Sequence, residues 1–173
     1  MHRQAQCLDV ANLEAAARQY QCCIEYLSLR HYLAAERECR ECFVYVPINP
    51  WKPDSRAPLI RFLTQHGFFE RTKIGQRRSD GYKCDMDVDL ACDLLRLIWS
   101  GSVDIVTVAS GDGDFEPIYR EARQRGIRVE VASTPETVSW QVLNVASAFI
   151  DLSDVMLNEW GGVKPAVGNG EAA

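Results

Sequence analysis

The segment that most restricts the fold is Val103 to Ala109 (VDIVTVA), a near-continuous apolar run followed at once by Ser110-Gly111-Asp112-Gly113-Asp114-Phe115. A strand with water on one face alternates apolar and polar residues, whereas a run like this one suits the buried middle of a parallel sheet. Helical patterns flank it: Asp87 to Trp99 before Gly101, and Phe115 to Arg125 before Gly126. Beyond them lie a strand from Ile127 to Ala132, a helix from Ser139 to Ala148 and a short strand from Phe149 to Leu152. Upstream, Ala5 to Leu8 reads as a strand entering Asp9, and Leu13 to about Arg37 as one helix or two. Phe43 to Val46 is a β-branched and aromatic strand expected to stop at Pro47 and Pro50. Ala57 to His66 is a helix closed by Gly67, and Phe68 to Ile74 a strand. Strands separated by helices build βαβ units, so the expected fold is α/β: a three-layer α/β/α sandwich around a mainly parallel sheet. Such sheets collect ligands at the carboxyl ends of their strands.

The chain has 173 residues, 47% of them hydrophobic, enough for one buried core. Residues 1–155 are expected to form the domain and 156–173 a disordered tail, since from Gly161 onward the chain is Gly/Ala/Pro-rich without apolar periodicity. No stretch approaches 18 uncharged apolar residues, which excludes a membrane helix. The N-terminus lacks an apolar signal core, so the expected location is cytoplasmic. Seven irregularly spaced cysteines, an odd number, fit reduced thiols better than disulfides. Net charge is -5, but the segment from Trp51 to Lys83 carries eight basic residues against three acids. A basic strip on an acidic protein marks where a polyanion could lie.

Three places put aspartates at strand ends or helix starts. Asp9 follows the first strand, and Asp112 and Asp114 follow the strongest one, with interleaved glycines expected to let the backbone turn sharply. At 100° per residue, Asp87 lies in the middle of the apolar stripe of Leu90, Ala91, Leu94 and Ile98, while Asp85, Asp89 and Arg96 face away. A carboxylate heading a buried stripe is costly unless something pairs with it, and a metal would. Asp93 sits at the edge of the stripe, roughly 9 Å further along at ~1.5 Å per residue, too far to share an ion with Asp87. It is expected to support the ligands from behind. Each acid has a structural alternative: Asp9 as a helix cap (though Asn12 fits a cap better), Asp112 as a turn residue, Asp114 as a cap, Asp87 as a dipole partner. Convergence of all of them on one sheet edge favours Mg²⁺ or Mn²⁺, which prefer carboxylate oxygens.

These motifs resemble the NYN domain, a branch of the PIN-like metal-dependent ribonucleases. The resemblance covers about residues 5 to 152 and rests on Asp9 with Asn12 after the first strand, Lys83 then Asp87 with Asp93 within the helix, SGDGDF, and Ser139 followed by Phe149-Ile150-Asp151. Val10 departs from it, standing where the family usually has glycine. The resemblance implies a PIN-like Rossmannoid fold, a metal site of Asp9, Asp87, Asp112 and Asp114, and Asn12 and Ser110 as polar groups near the scissile phosphate. The implied reaction is hydrolysis of RNA phosphodiester bonds by a metal-activated water. The basic strip supplies the other half, with Lys83 nearest the site and Arg71, Lys73, Arg77 and Arg78 gripping backbone phosphates. Tyr82 is a candidate for base stacking; core packing is the expectation for Phe68 and Phe69.

The second reading is a catalytically silent RNA-binding or regulatory module of the same fold. A phosphatase would need Asp-x-Asp after the first strand, where Asp9 is followed by Val10 and Ala11. Cys39-Arg40-Glu41-Cys42 has zinc-knuckle spacing but no second well-spaced pair, and His2, His31 and His66 fit no catalytic arrangement. A homo-oligomer is compatible with the sequence.

Overall fold

Six strands hydrogen-bond side by side in one parallel sheet in the computed structural model, which describes residues 2–160. They are β1 (Arg3–Asp9), β2 (Glu38–Ile48), β3 (Phe69–Ile74), β6 (Ile105–Ala109), β7 (Arg128–Ser133) and β8 (Ala148–Asp151). Their order is β3-β2-β1-β6-β7-β8, every neighbouring pair parallel. A separate antiparallel hairpin, β4 (Gln76–Arg78) and β5 (Gly81–Lys83), lies in the chain between β3 and the helix α4 (Asp87–Ser100).

Residue alternation along each strand divides the core in two. Cys7, Tyr45, Val108 and Val131 pack under α4 (Asp87–Ser100), α5 (Glu116–Gln124) and α6 (Trp140–Val145) through Leu90, Leu94, Tyr119, Ala122 and Val142. Leu8, Val44, Ala109 and Ala132 pack on the opposite face. There they meet α1 (Val10–Gln19), α2 (Tyr26–Ala34), α3 (Ala57–Gln65) and α7 (Ser153–Asn158) through Leu13, Leu29, Leu63 and Met156. Each fully buried Leu or Val contributes about 2 kcal/mol of transfer free energy. The expected three-layer α/β/α architecture is the observed one.

Some boundaries differ. The helical run after Asp9 starts at Val10 and breaks at Gln21, whose φ of 52° no helix accommodates, so it forms two helices. β2 runs through Pro47. The Ile48 carbonyl accepts from Gly75 N on the β3 side, so by alternation the Pro47 nitrogen faces β1, whose pairing has ended at Tyr45. The proline therefore removes no ladder bond. The packed chain also extends beyond residue 155: Met156 and Trp160 are buried against the α1–α2 layer, and the boundary expected there falls inside α7. Residues 161–173, the rest of the expected tail, lie outside the described residues. Among the described residues no helix is long and apolar enough to cross a membrane.

The strand order reverses between β1 and β6. The chain leaves β1 toward one helical layer (α1) and β6 toward the other (α5), which opens a crevice at their carboxyl ends. β1 ends on Asp9, and β6 runs into Ser110-Gly111-Asp112.

Candidate metal centre

Carboxylate oxygens of Asp87, Asp112 and Asp114 lie within 4.8 Å of one another at this crevice, the one such acidic group among the described residues. Asp112 stands at the head of a short 3-10 turn, and its Oδ1 accepts from Asp114 N (2.9 Å), so the turn fixes the Asp112 side chain. The neighbouring glycines serve close approach rather than a sharp turn. Neither has a positive φ, and a Cβ on Gly111 would stand 2.3 Å from the Thr137 carbonyl oxygen, one on Gly113 2.9 Å from Ser139 Oγ. Ser139 N also donates to the Gly111 carbonyl (2.8 Å), pinning the acidic loop to the segment before α6.

Asp9, the fourth expected ligand, is not among the three; it is buried and is the N-cap of α1, its Oδ1 accepting from Asn12 N (3.2 Å). The expectation that Asn12 is the better cap is thus reversed. Asn12 instead presents its Oδ1 to Gly111 N (3.1 Å), tying α1 to the loop after β6. Ser110 Oγ completes the link, donating to Asp9 Oδ2 (3.0 Å) and accepting from Asp112 N (3.3 Å). Val10, in place of the family's glycine, is fully buried with ordinary helical backbone, so the local turn accepts a side chain there.

The electrostatics follow from crowding. Burial pushes the Asp87 carboxyl up to about 7, helped by a hydrogen bond with the Asp85 carboxyl and by the charges of Asp85, Asp112 and Asp9. Burial also raises Asp9, against the hydrogen bonds from Asn12 and Ser110. Asp85, which helical phase assigned to solvent, touches the site: its Oδ1 accepts from Asp87 N (3.0 Å). No periodicity could show this, because Asp85 precedes the helix. Tyr119 also escaped the sequence reading. It is fully buried on α5, its hydroxyl has no hydrogen-bond partner, and burial raises its pKa with added repulsion from Cys7, Asp112 and Asp9. Three clustered carboxylates are a donor set suited to a hard divalent cation.

The basic strip divides. Arg71 is committed to Asp93 (2.9 Å) and lies over the Phe43 ring, and Lys73 is committed to Asp89 (2.9 Å) and the Asp85 carbonyl. Asp93 itself is buried between Arg71, Arg96 (3.1 Å) and the Tyr45 hydroxyl (3.1 Å). It supports the packing of α4 on β2 and β3, not the three clustered carboxylates. Lys83 pairs loosely with Asp85 (3.6 Å), while Arg77 lies over the Trp51 ring and Arg78 makes no ion pair among the described residues. Phe68 is buried as expected; Phe69, on the edge strand, is half exposed. All seven cysteines are free thiols.

Comparison with known proteins places this geometry in a family. The chain is 30% identical over 109 residues to the uncharacterized protein MJ0482 of Methanocaldococcus jannaschii, covering 63% of this chain and 40% of the relative. It is 26% identical over 100 residues to the low amplitude and bright protein LabA of Synechococcus elongatus, covering 54% and 53%. The chain thus spans about half or less of the length of these curated relatives. The fold matches the crystal structure of a protein of unknown function, VPA0982 of Vibrio parahaemolyticus, with a TM-score of 0.75 and 25% identity over 87% of this chain and 93% of that one. The model of the NYN domain matches residues 6–154, and the chain belongs to this family of PIN-like nucleases.

Proposed function

We propose that the protein is a Mg²⁺- or Mn²⁺-dependent ribonuclease that hydrolyses RNA phosphodiester bonds at the β1–β6 crevice. The observation that carries this reading is the convergence of Asp87, Asp112 and Asp114 at the topological switch point of a nuclease-family fold. These three would hold the ion, with Asp9 as the buried fourth acid. When bound, the ion supplies Lewis acidity to the phosphodiester and lowers the pKa of the attacking water. The chain's own residues prepare the site. Asp9 fixes the Ser110 hydroxyl, Ser110 and Asn12 fix the loop that carries Asp112, and the 3-10 turn sets Asp114 against Asp112. The seven free thiols fit a reducing compartment such as the cytoplasm.

The test is incubation of the pure protein with structured and single-stranded RNAs in Mn²⁺, Mg²⁺ or chelator. Cleavage is expected with either metal and none with chelator. Asp112→Asn should lower cleavage by at least about a hundredfold while the circular dichroism spectrum and melting temperature stay near wild type. Unchanged cleavage by this variant rejects the assignment, and metal-independent RNA binding without cleavage would assign a silent binding module instead.

A further inference from the structure

The hairpin β4–β5 lies at the same sheet edge as the acidic centre, because it follows the carboxyl end of β3 and leads through Lys83 into Asp87 at the head of α4. Trp51 belongs to the same edge, in the loop after β2. In the hairpin Arg77 is directly opposite Tyr82, so their side chains share one face. The Arg77 guanidinium lies 4.2 Å from the centre of the Trp51 ring, and its Nη2 reaches the Pro50 carbonyl (3.4 Å). An aromatic ring, a planar cation and a second aromatic ring are thus neighbours in one row. Both rings are open to solvent, Trp51 at 57% and Tyr82 at 39% of full exposure.

The row is built into the backbone. A Cβ on Gly75 would stand 2.5 Å from the Tyr82 ring, so glycine at 75 leaves the room that the ring occupies against the strand. By the same pairing Arg78 and Lys83 fall on the opposite face of the hairpin, away from the row. Arg77, the cation of the row, makes no ion pair among the described residues, unlike Arg71 and Lys73, which are consumed by internal ion pairs. Exposed aromatic faces beside a cation that lacks an ion pair suit a ligand that is both a polyanion and a source of flat rings. The faces of nucleic-acid bases are free only where the strand is unpaired; a duplex stacks them away.

We propose that Trp51, Arg77 and Tyr82 form a stacking site for unpaired bases of an RNA strand, a subsite beside the acidic centre in which the Arg77 guanidinium supplies the cation. The inference rests on the ribonuclease reading above and adds a base-stacking subsite to that same centre.

The experiment measures binding of a short fluorescein-labelled single-stranded RNA, and of a duplex of equal length, to the full chain in chelator, where cleavage is absent. Trp51→Ala and Tyr82→Ala should each weaken single-strand binding about tenfold, and Trp51→Phe, which keeps a ring, should recover most of the loss. Duplex binding should be unchanged by all three variants. Single-strand affinity unaffected by Trp51→Ala overturns the proposal, as does an equal loss on single strand and duplex. Cleavage in Mn²⁺ separates the two readings. A protein that cleaves RNA but binds it independently of Trp51 loses the stacking site and keeps the nuclease. One that binds through Trp51 and never cleaves keeps the stacking site and loses the nuclease.

Discussion

Asp87 faces two demands that conflict without a cation: it heads the apolar stripe of α4, and it looks onto the carboxylates of Asp85, Asp112 and Asp9. Proton retention to about 7 is how the side chain meets both in the metal-free protein. Tyr119 meets a related problem with no such outlet, since a buried hydroxyl without a partner costs about 1–3 kcal/mol. Tyr119→Phe deletes that hydroxyl and keeps the ring that fills the space beside Phe115. In chelator the variant should therefore be more stable by about 1 kcal/mol, seen as a higher urea midpoint with an unchanged slope. A lower midpoint would show that the hydroxyl has a hydrogen-bond partner. Of these residues, Asp87 was legible in the sequence because helical phase exposes a polar residue on an apolar stripe. Tyr119 was not, because a tyrosine on the buried face of an amphipathic helix looks like core until its hydroxyl is traced. The roles of Asp9 and Asn12 were exchanged for a similar reason: either type caps a helix, and only the backbone start at Val10 decides which one does.

At the scale of elements, α4 shows how one helix serves two neighbours. Its N-terminus delivers Asp87 to the crevice, and two turns later Asp93 anchors it to the sheet through Tyr45 on β2, Arg71 on β3 and its own Arg96. Asp93→Asn breaks both ion pairs and leaves the two arginines without their carboxylate, and a charged hydrogen-bonded group of this burial is worth about 2 kcal/mol. The variant should lose roughly that stability by urea denaturation while its Mn²⁺ affinity stays within about twofold of wild type. A large fall in metal affinity would return Asp93 to the metal site. The same geometry explains why the basic strip was only half legible. Composition counts charges along the chain, but Arg71 and Lys73 meet acids distant in sequence, 22 and 16 residues on. The hairpin β4–β5 left no periodic trace, since strands of three residues are shorter than any alternation can register. The long elements were read from pattern because each buries a face; β2 exceeded its expected end because a proline is silent where the neighbouring strand has stopped.

The whole molecule is linked to pH through the crowded acids at its switch point. Unfolded, Asp87 ionises near an ordinary value of about 4; folded, it holds its proton to about 7. Between those values the native chain binds more protons than the unfolded one, so stability falls as pH rises, and Asp9, also raised, acts in the same direction. Asp104 and Glu130 are lowered, Asp104 by hydrogen bonds from Arg3, Glu130 by Arg37 and Arg128 against the effect of its burial. Their contributions are complete above the unfolded carboxylate range and are lost only on acidification, so they leave the neutral window flat. In chelator, the urea midpoint should therefore drop between about pH 5 and about pH 8, and Asp87→Asn should flatten that drop. A divalent ion bound as proposed should reverse the trend, because it would bind the deprotonated carboxylates of the folded chain and stabilise it by mass action. The midpoint gained on adding Mn²⁺ should accordingly be small at about pH 5 and large at about pH 8, with proton release on binding at neutral pH. An equal Mn²⁺ gain at both pH values, or a midpoint in chelator indifferent to pH, would separate the proton on Asp87 from the metal and leave the acidic crevice without its assigned occupant.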